Sequence, residues 1–212
     1  MNKLFSFSKI ASIATIVLLV FYVIFSFLRD YYPGYDEYYL FRENSGLVLP
    51  MYILKIIINV LLTIFFFLIY KHSVPGSSLR KPALLGNIML IISVISFIFS
   101  IIIFTSGSYK ETGWENFSYT LCYYRILNPY LQGIYPIGLL VSFIFLIKYF
   151  NNKLLKVLAL IYPISLILIF VTDWSNFFFY YENPIMFDIL GGLGIFALAC
   201  FYYVFSKMSN NK

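Results

Sequence analysis

Residues 49–70 read LPMYILKIIINVLLTIFFFLIY, and in that run only Lys55 carries a charge. A helix that crosses a bilayer needs about 20 mostly apolar residues, so this stretch is a membrane span. Five more stretches repeat the pattern: Ile10–Leu28, Ala83–Phe104, Ile134–Phe150, Leu154–Val171 and Ile185–Phe205. The expected fold is therefore all-α, a polytopic integral membrane protein whose single domain, 1–212, is a bundle of six transmembrane helices. The fourth and fifth stretches are the shortest. Only Asn151, Asn152 and Lys153 separate them, which predicts a tight hairpin.

Composition excludes the main alternatives. Hydrophobic residues make up 61% of the chain and charged residues 11%, against about 45–50% and about 25% in soluble domains; mean hydropathy is +0.86. A soluble fold of this size buries only roughly 70% of its surface, too little to hide so much apolar area. A soluble enzyme, a nucleic-acid-binding module and a disordered chain are all poor matches. The first apolar run follows Lys3 and Lys9 as a secretory signal would. It continues into Phe25-Ser26-Phe27-Leu28-Arg29 with no small-residue cleavage site, so a retained anchor is expected.

Charge sets the expected orientation, because lysine and arginine collect on the cytoplasmic side of membrane proteins. Lys3, Lys9, Lys71, Arg80, Lys81, Lys148, Lys153, Lys156, Lys207 and Lys212, ten of the fifteen basic residues, fall on or near one side. The other side holds Arg29, Arg42, Lys110 and Arg125. It also holds all nine acids: Asp30, Asp36, Glu37, Glu43, Glu111, Glu115, Asp173, Glu182 and Asp188. An even number of spans with cytoplasmic N and C termini follows, in a plasma membrane, with a bacterial inner membrane as the expected setting. The net charge of +6 is spread over short turns and makes no long basic patch with interleaved aromatics, so nucleic acid is not an expected partner.

The outer loops are rich in tyrosine. Tyr31, Tyr32, Tyr35, Tyr38 and Tyr39 alternate with Asp30, Asp36 and Glu37, and Tyr180, Tyr181 and Glu182 repeat that character before the last span. Two readings stand: an aromatic belt at headgroup depth, or an outer contact surface formed by Tyr31, Tyr32, Tyr35, Asp36, Glu37, Tyr180 and Tyr181 that takes a partner. The loop from Thr105 to Gly133 is long enough for an interfacial helix and carries a glycosylation triplet at Asn116-Phe117-Ser118. No repeat is read between the two halves of the chain, and Cys122 and Cys200 have no metal-type spacing.

Within the spans one polar line stands out: Lys55, Asn59 and Thr63, at i, i+4 and i+8. Lys55 enters about 9 Å deep at 1.5 Å per residue. Its long stem either snorkels outward or its amine pairs with an acid, Asp188 first and Asp173 second. Lys55, Asn59, Thr63 and Asp188 form the candidate intramembrane polar site. Ser93, Ser96 and Ser100 share a side of the third span, and Gly191, Gly194, Ala197 and Cys200 line the sixth. Both rows suit close helix contact. Pro136 and Pro163 lie inside spans four and five, where prolines kink helices.

The missing motifs shape the functional expectation. The one histidine, His72, sits in a short turn, and there is no HExxH, P-loop or GxSxG. No serine or cysteine can be matched with an intramembrane histidine for nucleophilic catalysis. No catalytic residue, metal site or cofactor is expected. The leading expectation is a non-enzymatic recognition, sensor or immunity subunit, in the manner of a bacterial antiviral defence or toxin system, partnered by the bilayer and by another protein or copies of itself. A small-molecule or ion transporter or channel is the alternative, and a membrane-embedded lipid-modifying enzyme the third.

Overall fold

A chain whose apolar runs lie in lipid must satisfy its backbone internally, and among single segments only the helix does so. The computed structural model describes residues 2–30, 45–105, 128–179 and 184–208, and all its regular structure there is helical. The helices are α1 (Asn2–Asp30), α2 (Ser45–His72), α3 (Arg80–Thr105), α4 (Asn128–Leu146), α5 (Lys153–Phe179) and α6 (Pro184–Lys207). Five contain segments long and apolar enough to cross a membrane: Lys3–Leu28, Ile53–His72, Arg80–Phe99, Lys153–Thr172 and Asp188–Lys207. The fourth apolar segment, Gly133–Tyr149, is shorter. The first helix extends about two turns further toward the N terminus than its apolar run, taking in Lys3 and Lys9.

The turns between helices follow local chemistry. Between α2 and α3, Val74-Pro75-Gly76-Ser77 closes with Ser77 N–H donating to the Val74 carbonyl at 3.0 Å. Proline presets φ at the second position, and Gly76 takes φ +83° at the third, the arrangement of a type II turn. The expected α4–α5 hairpin is present. A 3-10 turn, Ile147–Tyr149, ends at Phe150, which is extended. Asn152 then caps α5, its Oδ1 accepting from Leu154 N–H at 2.8 Å.

Each helix packs on the next, and α6 returns to pack on α1, so the six form a closed ring. The α1–α6 seam is antiparallel along its whole length. Phe5 meets Phe205 at 5.5 Å, Ser12 Oγ donates to the Ala199 carbonyl at 3.0 Å, and Ser26 Oγ donates to Asp188 at 3.1 Å. The start of α1 and the end of α6 therefore share one end of the bundle. Lys71, Arg80, Lys81, Lys148 and Lys153 occupy helix ends and turns there, while Asp188 lies at the opposite end.

Aromatic side chains fill the middle of the ring toward the basic end. Phe65 on α2 is fully buried. Its ring meets Phe201, Tyr202 and Phe205 of α6 at 5.4, 5.5 and 5.2 Å, all near edge-to-face. Phe66 meets Phe143 of α4 at 5.2 Å, and Phe143 meets Phe201 at 5.7 Å. Edge-to-face pairs set the positive rim of one ring against the negative face of another. A centre packed this way does not depend on the hydrophobic effect, which cannot drive helices together inside lipid.

Candidate functional site

Halfway along α2, above the aromatic centre, lies a buried polar hub. Asn59 is 1% exposed. Its Nδ2 donates to Ser93 Oγ on α3 at 2.8 Å, and its Oδ1 accepts from the Tyr162 hydroxyl of α5 at 3.5 Å. Ser93 also hydrogen-bonds with the Tyr135 side chain of α4. One amide therefore links four helices, α5 among them although it is not beside α2 in the ring. A second asparagine, Asn87 on α3, ties the same pair of helices lower down. With its amide turned to suit both neighbours, it donates to the Thr63 carbonyl at 2.9 Å and accepts from Phe67 N–H at 3.2 Å.

The expected polar line on α2 divides across this geometry. Asn59 points inward, and Thr63 is half-buried, its hydroxyl donating to the Asn59 carbonyl one turn back at 2.7 Å. Lys55 lies on the exposed side of the helix, its amine 5.8 Å from the centre of the Phe97 ring. Phe97 in turn meets Tyr135 edge-on at 6.4 Å, so the lysine borders the hub through two rings. Asp188 is half-buried at the far end of α6 and accepts from Ser26. Ser93 and Ser96 are both buried. Gly194 and Ala197 are buried at the helix seams, and Cys200 is half-buried with a free thiol. Tyr31, Tyr32, Tyr35, Asp36, Glu37, Tyr180 and Tyr181 lie outside the described residues, as does Asn116.

Several buried polar groups are absent from the sequence reading. A hydroxyl stripe runs down α1 through Ser8, Ser12, Thr15 and Ser26, all buried. Ser8 and Thr15 donate to carbonyls one turn back, while Ser12 and Ser26 bond across to α6. Tyr135 and Tyr162 also escaped notice, although the sequence holds a signal for them. Ile-Tyr-Pro-Ile occurs twice in the second half of the chain, at 134–137 and at 161–164. Both tyrosines of the repeat enter the hub from neighbouring helices. Tyr202, fully buried among aromatic rings, has a hydroxyl with no hydrogen-bond partner among the described residues.

The hub brings together an amide, a serine hydroxyl and two phenols. Its groups donate and accept among themselves, and the described contacts include no carboxylate, imidazole or amine that would exchange protons with a substrate near neutral pH. Among the described residues no group of histidine, cysteine, aspartate or glutamate is arranged to hold a metal. The arrangement is suited to fixing helices in register. No protein-family model, curated protein or solved structure matches the chain.

Proposed function

We propose that this protein is a non-enzymatic recognition subunit of a bacterial inner membrane, with six spans, both termini cytoplasmic and its outer loops in contact with a partner. One observation carries the reading: apart from the Tyr202 hydroxyl, the polar groups named here in the described interior are held by one another or by their own helices. Asn59, Ser93, Tyr135 and Tyr162 bond across helices, and Ser8, Thr15, Thr63, Ser142 and Ser165 bond to carbonyls of their own helices. A transport route needs polar groups that can trade bonds with a passing solute. Here the groups are occupied, and the aromatic centre lies beneath them. A rigid bundle of this kind presents its loops and ends, so its work is done by contact. A defence or toxin-immunity pair is a setting in which such a subunit would act.

The collected basic residues support the cytoplasmic placement of both termini, and α4 with the 3-10 turn that follows it supports an even count. Native mass spectrometry of the tagged protein, purified in mild detergent, tests the functional reading. A stoichiometric protein partner is expected, and it should be lost when Tyr31, Tyr32, Tyr35, Tyr180 and Tyr181 are changed to serine. A bare chain or a homo-oligomer carrying only lipid or a small solute would overturn the proposal in favour of transport or lipid chemistry.

A further inference from the structure

At the basic end, the α2–α3 turn leans on the α4–α5 turn through a hydrogen bond between Ser78 Oγ and the Tyr149 hydroxyl. Beside that contact, the Arg80 guanidinium stacks on the Tyr70 ring at 4.5 Å and donates through Nη2 to the Tyr70 hydroxyl at 3.0 Å. This holds the planar group in place and leaves its other donors uncommitted. Lys81, next along the chain, and Lys148, next to Tyr149, are both exposed. The described acidic positions, Asp30, Asp173 and Asp188, lie on stretches of α1, α5 and α6 remote from this end. Ser77 Oγ, in the same turn, is closed off from solvent and has no hydrogen-bond partner.

We infer that this corner binds the phosphate of an anionic phospholipid. Arg80 is the anchoring residue, and Lys81 and Lys148 flank it. A fixed guanidinium matches phosphate oxygens in a two-pronged geometry that a loose lysine cannot. Of the bonded Ser78 and Tyr149 hydroxyls, the one that accepts keeps its own proton as a further donor at the same edge. The surroundings favour a lipid over a free anion. Val74 is 71% exposed and Leu154 56% exposed on either side of the corner, apolar surface that a glycerol backbone and the first acyl carbons would cover. The corner also closes the ends of bilayer-length helices, which is headgroup depth.

Lipid retention measured by native mass spectrometry after reconstitution in nanodiscs of equal phosphatidylglycerol and phosphatidylcholine tests this. Wild type should keep phosphatidylglycerol selectively. Arg80→Gln should lower its retention about fivefold, and Arg80→Gln with Lys148→Gln about thirtyfold, from the usual contribution of each basic residue near an anionic surface. Lys3→Gln with Lys207→Gln removes the same charge on the α1–α6 side of the ring and should leave retention unchanged. Lys81→Gln with Lys148→Gln, at exposed positions, supplies a variant that keeps the Arg80–Tyr70 contact and should still lose selectivity. Equal loss in the Lys3/Lys207 variant would reduce the site to diffuse surface charge and overturn the inference. So would absence of phosphatidylglycerol preference in wild type, or displacement of the lipid by inorganic phosphate at matched concentration, which would identify a free-anion site.

Discussion

Replacing Asn59 with leucine tests the hub directly. The side chain is nearly isosteric, so packing volume changes little, while two interhelical hydrogen bonds disappear. Such bonds in membrane proteins average about 0.6 kcal/mol each. The larger effect falls on the partners. Ser93 retains contact with Tyr135 and can turn to a carbonyl of its own helix, but the buried Tyr162 hydroxyl loses its hydrogen-bond partner among the described residues. A stranded buried hydroxyl costs about 1–3 kcal/mol, so Asn59→Leu should destabilise the bundle by about 2–4 kcal/mol. The assay is reversible unfolding in bicelles by titration with a denaturing detergent, followed by the loss of helical circular dichroism. A double-mutant cycle makes the test specific. Tyr162→Phe removes the hydroxyl that Asn59→Leu strands, so the double variant should regain about 1 kcal/mol or more relative to the sum of the single changes. A loss below about 0.5 kcal/mol for Asn59→Leu, or strict additivity with Tyr162→Phe, would refute the view that this amide ties the ring together.

Two other changes probe the packing around the hub. A methyl placed on Gly194 would lie 2.1 Å from Ser165 Oγ, so Gly194→Val should force α5 and α6 apart at a cost of about 1–3 kcal/mol, visible in the same unfolding assay, whereas Cys200→Ala on the same helix should have little effect. Phe65→Ala empties the middle of the aromatic centre and should cost about 3 kcal/mol. Its cavity lies in the lipid-shielded interior, so xenon or benzene binding measured by NMR should appear in the variant and be absent from wild type.

The helices were legible because their signal is length and apolarity, which in a bilayer leave few other folds open. The interior was legible only in part, and helix geometry explains where it failed. Each step of four residues overshoots a full turn by about 40°, so Lys55 and Thr63 stand on either side of Asn59, and a line that looks straight in sequence spreads across lipid-facing, buried and intermediate positions. Of the three, Asn59 is the one the bundle buries. Tyr135 and Tyr162 were hidden by number: with 20 tyrosines and 24 phenylalanines in the chain, aromatic identity alone does not tell a lipid-facing ring from an inward one. The proline that follows each of them is the better marker, since it removes a backbone N–H and frees a carbonyl inside the span. The hydroxyl stripe on α1 went unread because serine and threonine bonded to their own helix look the same in sequence as those that bond across a seam.

The closure of α6 on α1 has a consequence for how the protein is made. Of the two helices that share the Ser12 and Ser26 bonds, α1 leaves the ribosome well before α6, with four helices made between them. Until α6 is made, α1 therefore sits in the bilayer with its hydroxyl face unmatched, and any product ending before Pro184 keeps that face open to lipid. The ring closes only once α6 has been made. Truncated or frameshifted chains are thus set apart from finished ones by a single exposed seam, the kind of feature a membrane protease or chaperone can read.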